Sequence, residues 1–140
     1  MLDKNKDLIH RYYTELWNQW DDAIVDEIIS PEIQFRGSLG VIVSGKDGFR
    51  GYVAQVRATF PDFHNRVDEI LAEGDGVMAR LTYNGAHLGE LFGTAPTGKQ
   101  VEYGGIALFR ITEGHITSGL VYGDTMGLMR QIGAATPDIS

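Results

Sequence analysis

Asp124 has the residue type and the setting that general acid–base chemistry needs. It lies at the end of a predicted strand, on the same period-two face as Tyr122 and Leu120, and Met126 follows it. A carboxyl group in apolar surroundings has a raised pKa, so it can take up and return a proton near neutral pH. Aspartate is also a preferred helix N-cap, so Asp124 is equally suited to cap a turn into residues 125–131. The residue type alone leaves both interpretations open.

His87 is the histidine whose surroundings best suit a functional role. It stands in the run Gly85–Glu90 (GAHLGE), with a glycine two positions to either side, on the predicted face of Leu81 and Tyr83. As a functional residue it would donate a hydrogen bond to a substrate carbonyl or hold Asp124 in position. A histidine on an apolar face is equally consistent with a packed core or rim residue. The four histidines of the chain show no metal-ligand spacing, so we expect no metal site.

Aromatic residues and arginines complete the candidate set. The rings are spread over helices and strands, and core packing accounts for most of them. A flat hydrophobic ligand would still need ring-lined walls. The residues from which we expect substrate contacts are Trp17, Arg36, Phe60, Tyr103 and Tyr122. Arg80 and Arg110 are better explained as exposed strand charges, because a buried unpaired charge is costly.

The run Gly93–Lys99 (GTAPTGK) has the spacing of a phosphate-binding loop, but its chemistry does not fit. Gln100 stands where Ser or Thr must hold magnesium, and a strand rather than a helix is predicted to follow. No serine lies in a nucleophile elbow either. We therefore expect no phosphate binding at this run, and we interpret it as a turn-rich connection at the mouth of a pocket.

Length, composition and charge exclude several classes of protein. The chain has 140 residues, 43% hydrophobic and 22% charged, which is ordinary for one globular domain. Its net charge of −7, without a basic cluster, argues against nucleic-acid and membrane partners. The absence of cysteine excludes disulfides, thiolate metal sites and a cysteine nucleophile. Charges throughout the first residues do not fit a signal peptide, and we expect a cytoplasmic protein.

The hydrophobic period divides the chain into a helical first part and a strand-rich second part. Apolar residues recur every four positions over about residues 4–19, and further helices are predicted at about 21–29 and from Gly45 to Phe60. Strands are predicted at about 32–36, 41–44, 67–71, 77–87, 100–111 and 115–125. This order indicates an α+β fold, in which a curved sheet and helices enclose a pocket.

Five stretches, in order along the chain, carry a family resemblance. They are Tyr13–Asn18 (YTELWN), Phe60–Asp62 (FPD), Ala72–Asp75 (AEGD), Gly85–Gly98 (GAHLGELFGTAPTG) and Phe109–Gly133, which includes Asp124 and ends in Gln131-Ile132-Gly133. The chain resembles the SnoaL-like polyketide cyclases, or ester cyclases, of the NTF2-like superfamily, over about residues 4–133. The resemblance implies a single domain over residues 1–140 with a cone fold: N-terminal helices packed on a strongly curved, mainly antiparallel sheet enclosing a pocket.

The resemblance also implies an activity. SnoaL-type cyclases close a ring by intramolecular aldol condensation without metal or cofactor, and Asp124 matches the position of their acid–base aspartate. Many relatives have an Asp-His pair at the end of the first strand, where this chain has Phe35-Arg36. We expect a cofactor-independent acid–base enzyme on a small apolar or aromatic carbonyl compound, with Asp124 and His87 as catalytic residues. The alternatives are another NTF2-like isomerase, dehydratase or hydrolase, or a non-catalytic small-molecule binding domain.

A homodimer is implied as well, because relatives of this family usually pair through the outer face of the sheet. An apolar outer face formed by Phe109 and Ile111 would support such a dimer. A third alternative, a purely structural dimerisation module, predicts a pocket filled by the protein's own aromatic side chains.

Overall fold

The computed structural model describes residues 2–134, which form helices packed on one six-stranded sheet. The helices are α1 (Leu2–Arg11), α2 (Ala23–Ile28), α3 (Gly45–Thr59) and α4 (Thr125–Ile132), with a π-helical turn at Tyr12–Trp17. The strands are β1 (Ile29–Arg36), β2 (Ile42–Ser44), β3 (His64–Glu73), β4 (Gly76–Ala86), β5 (Gln100–Thr112) and β6 (His115–Gly123). None of the helices within residues 2–134 is long and apolar enough to cross a membrane.

The sheet has the order β2-β1-β6-β5-β4-β3, and it is mainly antiparallel as the sequence predicted. Among the strand pairs within residues 2–134, β1 and β6 are parallel and the others are antiparallel. The hairpin from β5 to β6 turns at Glu113 and Gly114, whose φ angles are 51° and 77°. Two successive left-handed residues match the right-handed twist of the flanking strands, so the turn favours close pairing of β5 with β6.

The first helical segment differs from its prediction. The apolar period predicts one helix over residues 4–19, whereas α1 ends at Arg11 and a π-helical turn follows. The Asn18 N–H closes this turn by donating to the Tyr13 carbonyl over 2.9 Å. A π-turn rotates less per residue than an α-helix, so the consecutive side chains of Tyr12 and Tyr13 both face the core. Such turns are rare and are often found at functional sites.

The core lies between the helices and the concave inner face of the sheet. Phe109 and Ile111, which would have supported a dimer had they formed an apolar outer face, are 0% and 5% exposed and face inward. Strand alternation explains this correction, because Ile106 and Leu108 share the outer, solvent-facing side of β5 with Arg110. The ring centroid of Phe109 lies 5.1 Å from that of Tyr12 and 6.0 Å from that of Tyr13.

Candidate functional site

A small cavity, which we call the chamber, lies between the π-helical turn and the inner face of the sheet. Its volume is about 20 Å³, and it is lined by Tyr12, Tyr13, Trp17, Phe35, Ser38, Phe63, Asn65, Tyr83 and Val121. Such a volume holds about one water molecule, whereas pockets for drug-sized ligands measure roughly 300–1,000 Å³. The protein's own aromatic side chains therefore fill most of the interior, and a larger ligand has to displace some of them.

Hydroxyl groups are the main polar groups of this interior. The Tyr13 hydroxyl is fully buried and has no hydrogen-bond partner among the protein atoms of residues 2–134. The hydroxyls of Ser38 and Tyr103 lie 2.9 Å apart, and the ring of Tyr103 lies 4.8 Å from that of Tyr83. The buried polar side chains in the described part of the chain belong to Ser30, Ser38, Thr59, Asn65 and His87, and none of them is a carboxylate.

These buried phenols are protonated at neutral pH. Burial raises the pKa of Tyr13 and of Tyr83 well above the ordinary value of a tyrosine, and burial also raises the pKa of Tyr103. A protonated phenol donates a hydrogen bond to an oxygen that gains negative charge, but it does not remove a proton from carbon. The chamber can therefore stabilise an oxyanion. Within residues 2–134, no cluster of His, Asp and Glu side chains could hold a metal ion.

Asp124 lies outside the chamber, at the junction of β6 and α4. Its carboxylate accepts a hydrogen bond from the Gly127 N–H over 2.9 Å as the N-cap of α4, and its side chain is exposed. The predicted alternation is present, because Leu120 and Tyr122 share the face of Asp124, but that face is the outer one. The geometry therefore favours the capping interpretation over the acid–base one.

Arg36 and Tyr122 are also on the outer face, not in a pocket wall as expected. The guanidinium carbon of Arg36 lies 4.2 Å from the ring centroid of Tyr122, and Arg36 donates to the carbonyl of Val121. Tyr122 is 61% exposed. The reason is again strand alternation: Phe35 and Arg36 are neighbours on β1, and because Phe35 points inward, Arg36 points outward.

His87 is fully buried, but it belongs to the connection between β4 and β5. Its Nδ1 accepts a hydrogen bond from the Thr97 N–H over 3.2 Å and lies 2.9 Å from the Thr97 hydroxyl. Its backbone pairs with Gly98 and Lys99 over 2.9 Å each. We call this group of four residues the His87 clasp. The other ring nitrogen of His87, Nε2, is buried and has no partner among the atoms of residues 2–134.

The two predicted catalytic residues do not come together. Ala86, next to His87, pairs with Gln100 on β5, whereas the Asp124 N–H donates to the Gly104 carbonyl. At the rise of an extended strand, four residues along β5 correspond to about 13 Å. Phe60 contacts His87 at a centroid distance of 6.3 Å and stacks on Phe63, a chamber residue, at 5.6 Å. Phe60 thus packs behind the wall of the chamber.

Comparison with known proteins identifies the family. The sequence pattern of the SnoaL-like polyketide cyclases matches residues 7–132. The chain belongs to this family. It is 35% identical over 117 residues to the nogalonic acid methyl ester cyclase of Streptomyces nogalater, covering 81% of this chain and 87% of that protein. It is 33% identical over 131 residues to the aklanonic acid methyl ester cyclase AcmA of Streptomyces galilaeus, covering 91% and 90%.

The solved structures give the same answer for the fold. A protein from Jannaschia sp. CCS1, described as a SnoaL-like polyketide cyclase, superposes with a TM-score of 0.87 at 22% identity, covering 96% of this chain and 95% of that one. The predicted α+β cone and the predicted family are therefore confirmed. The general function, that of a polyketide cyclase-like enzyme, is the one that the sequence resemblance predicted.

Trp17 is the predicted substrate contact that lines the chamber of this SnoaL-like protein. Its ring packs 6.0 Å from Trp20 and 6.0 Å from Tyr52. Trp20 in turn borders a surface groove of about 160 Å³ and has a left-handed φ of 56°. Trp17 therefore lies between the chamber and that groove. Tyr103 does not line the chamber itself, but its hydroxyl lies within hydrogen-bond distance of Ser38, which does.

Tyr13, Ser38 and Tyr83 are polar chamber residues that the sequence analysis missed as site residues. Period-two alternation already placed Tyr83 on the inner face, but a buried ring gives no signal of function. Glycine positions on the last strands were a further signal, because a Cβ at Gly105 would lie 2.7 Å from the Tyr83 ring and one at Gly119 2.8 Å from Phe35. These glycines make room for rings that come from other elements.

Proposed function

We propose that this protein closes a ring in a planar, polycyclic polyketide ester, using the chamber as its substrate site. The observation that carries the proposal is a set of buried phenol hydroxyls in an aromatic interior, one of them, on Tyr13, without a protein partner. Two relatives that are at least 33% identical are named for cyclisation of nogalonic and aklanonic acid methyl esters. Ring-lined walls suit the flat hydrophobic part of such compounds.

The reaction is an intramolecular aldol condensation that stops at the addition product, without loss of water. A proton leaves the carbon between the ketone and ester carbonyls, and that carbon forms a bond to a second ketone carbon. The C=O bond of this second ketone becomes a C–O⁻ alkoxide, which takes a proton from solvent to give a hydroxyl, so substrate and product have the same composition. Phenol donors such as Tyr83 stabilise the alkoxide by hydrogen bonds, and the chamber holds the two carbons in contact.

The base in this proposal is solvent. A carbon flanked by two carbonyls is acidic enough to lose its proton to water, so the substrate needs orientation by the protein more than a protein base. Deprotonation by solvent and orientation by the protein are consistent with an interior that, within residues 2–134, has buried phenols and no buried carboxylate. Asp124 as an acid–base group is the competing assignment, and the turnover rate of Asp124→Asn distinguishes the two.

Substrate entry requires movement of Trp17. The chamber and the surface groove beside Trp20 are separated by the contact between these two indoles. Rotation of Trp17 toward the groove would join the two spaces. Arg57, whose guanidinium carbon lies 5.2 Å from the Trp20 ring centroid, stabilises the closed position by a cation–π contact.

Turnover of the relatives' named substrates tests the proposal. The protein is incubated with nogalonic acid methyl ester and with aklanonic acid methyl ester, and products are separated by chromatography with mass detection. We expect a product of unchanged mass and altered retention. Tyr83→Phe should lower the rate at least tenfold, whereas the same change on the outer face, Tyr122→Phe, should not. No product from either ester at high protein concentration would exclude these substrates.

A structural dimerisation module is the second candidate, and two observations support it. The chamber is nearly filled by the protein's own rings, and the outer face of the sheet exposes apolar side chains, namely those of Leu71, Met78, Ile106, Leu120 and Tyr122. We propose a homodimer that covers this face. Sedimentation should show a dimer in the wild type and a monomer in Leu120→Glu. The absence of cysteine fits our further proposal of a cytoplasmic location.

A further inference from the structure

Tyr13 is placed on the π-helical turn in a way that is unfavourable for the free protein. Its hydroxyl is buried beside the chamber and has no hydrogen-bond partner among the protein atoms of residues 2–134. Burying a hydroxyl without a partner costs free energy, and native structures usually avoid it. A phenylalanine at this position would fill the same space without that cost.

The neighbouring phenol of Tyr103 shows the ordinary solution. Its hydroxyl lies 2.9 Å from the Ser38 hydroxyl, so its hydrogen-bonding capacity is used inside the protein. Tyr13 has the same residue type and similar burial, and it packs against Tyr12 and Phe109 at 4.9 and 6.0 Å between ring centroids. What differs is that Tyr13 borders a cavity. The Tyr13 hydroxyl is therefore an unused donor on a residue that lines the chamber, and a carbonyl oxygen of a ligand bound there would supply its missing partner.

We propose that the Tyr13 hydroxyl is a ligand-binding group that donates a hydrogen bond to a carbonyl oxygen of a planar aromatic ketone in the chamber. The proposal deepens the function proposed above and rests on it for the ligand class. The π-helical turn is the feature that makes this possible, because it directs two consecutive tyrosines inward. Tyr12 packs against Phe109, and Tyr13 presents its hydroxyl to the ligand.

Three proteins, wild type, Tyr13→Phe and Tyr103→Phe, test this inference. Their melting temperatures are measured without ligand, and their binding of 1,8-dihydroxyanthraquinone is measured by fluorescence quenching. We expect Tyr13→Phe to melt a few degrees above wild type, since the uncompensated hydroxyl is gone, and to bind the quinone about tenfold more weakly. Tyr103→Phe should melt below wild type, because it breaks the bond to Ser38.

Each other outcome has a definite meaning. A lower melting temperature for Tyr13→Phe would show that its hydroxyl stabilises the free protein, and unchanged quinone affinity would show that it does not touch the ligand; either result overturns the inference. If wild type converts the methyl esters and Tyr13→Phe converts them at the same rate and KM, the proposed function stands and this inference fails. If wild type binds the quinone through Tyr13 but converts neither ester, the inference stands and the cyclisation proposal fails.

Discussion

The chamber and the His87 clasp contain the same chemical irregularity in two different settings. In each region one buried polar atom, the Tyr13 hydroxyl oxygen or the His87 Nε2, has no partner among the protein atoms of residues 2–134. Tyr13 borders a cavity and is bonded to no other side chain, whereas His87 is fixed through Nδ1 by Thr97 and packs against Phe60. The difference between the two regions is that Tyr13 lines a cavity, whereas the ring of His87 is held by Thr97 and packed against Phe60.

Alkaline pH should produce the largest effect, and it should act on the chamber. Burial raises the pKa of Tyr12, Tyr13, Tyr83 and Tyr103, so above pH ~10 the unfolded chain releases protons that the folded protein keeps. The free energy of unfolding therefore falls as pH rises, by about 1.4 kcal/mol per tyrosine per pH unit, or roughly 5 kcal/mol per unit for these four. Tyr52, whose pKa is also raised by burial, adds to this slope. Urea denaturation across the alkaline range measures this slope.

Phenolate absorbance supplies the control for that experiment. The buried tyrosines should ionise in one step together with loss of tertiary structure. Gradual ionisation of these four rings while the fold is intact would mean that the chamber is already open to water. In that case the chamber tyrosines would ionise in the folded protein as exposed tyrosines do.

Substitution of His87 should have the next largest effect, and it should be confined to stability. His87→Ala removes a fully buried ring and its bonds to Thr97, so we expect a loss of about 2–3 kcal/mol in the free energy of unfolding. Thr97→Val, which retains the backbone donor, should cost about 1 kcal/mol. Affinity for the anthraquinone should be unchanged in the folded fraction of both variants. A tenfold loss of affinity in Thr97→Val would show that the His87 clasp is part of the binding site.

Asp124 should give the smallest effect, and the pattern of two variants defines its role. Asp124→Ala removes the N-cap of α4 and should cost about 1 kcal/mol of stability, whereas Asp124→Asn keeps a capping oxygen and should be nearly neutral. Ester turnover should survive in Asp124→Asn at close to the wild-type rate. If the turnover rate of Asp124→Asn fell a hundredfold or more at unchanged stability, Asp124 would be an acid–base residue and not merely a helix cap.

The sequence predicted the fold well because its strongest signals are local. Alternation over residues 77–87 and 100–111 and the turn at Glu113-Gly114 define β4 to β6 closely, and the structure has them within two residues. The four-residue apolar spacing over 4–19 predicted a helix of the right extent but not its change to a π-turn after Arg11. That change depends on tertiary packing of Tyr12 and Tyr13, which a local period does not contain.

The site was harder to predict, for a reason visible in β5 and β6. Alternation shows which residues share a face, and Leu120, Tyr122 and Asp124 do share one, but it does not show which face is buried when both carry apolar side chains. Arg110 was the available signal, since a charge marks the outer face and assigns Phe109 to the inner one. The hydroxyls of Tyr13, Ser38 and Tyr83 come from three separate parts of the chain, namely the π-helical turn, the segment between β1 and β2, and β4, so their proximity is a property of the assembled fold.

The parallel pairing of β1 with β6 has a consequence for how this protein is made. Arg36 donates to the carbonyl of Val121, 85 residues later in the chain, and the two strands lie side by side in the interior of the sheet, with β2 at the edge beside β1. During synthesis β1 emerges early and has to wait until β6 has left the ribosome before it finds its neighbour. Contacts of such long sequence separation slow folding. We expect nascent chains that end before residue 115 to expose the apolar side of β1 and to be recognised by chaperones.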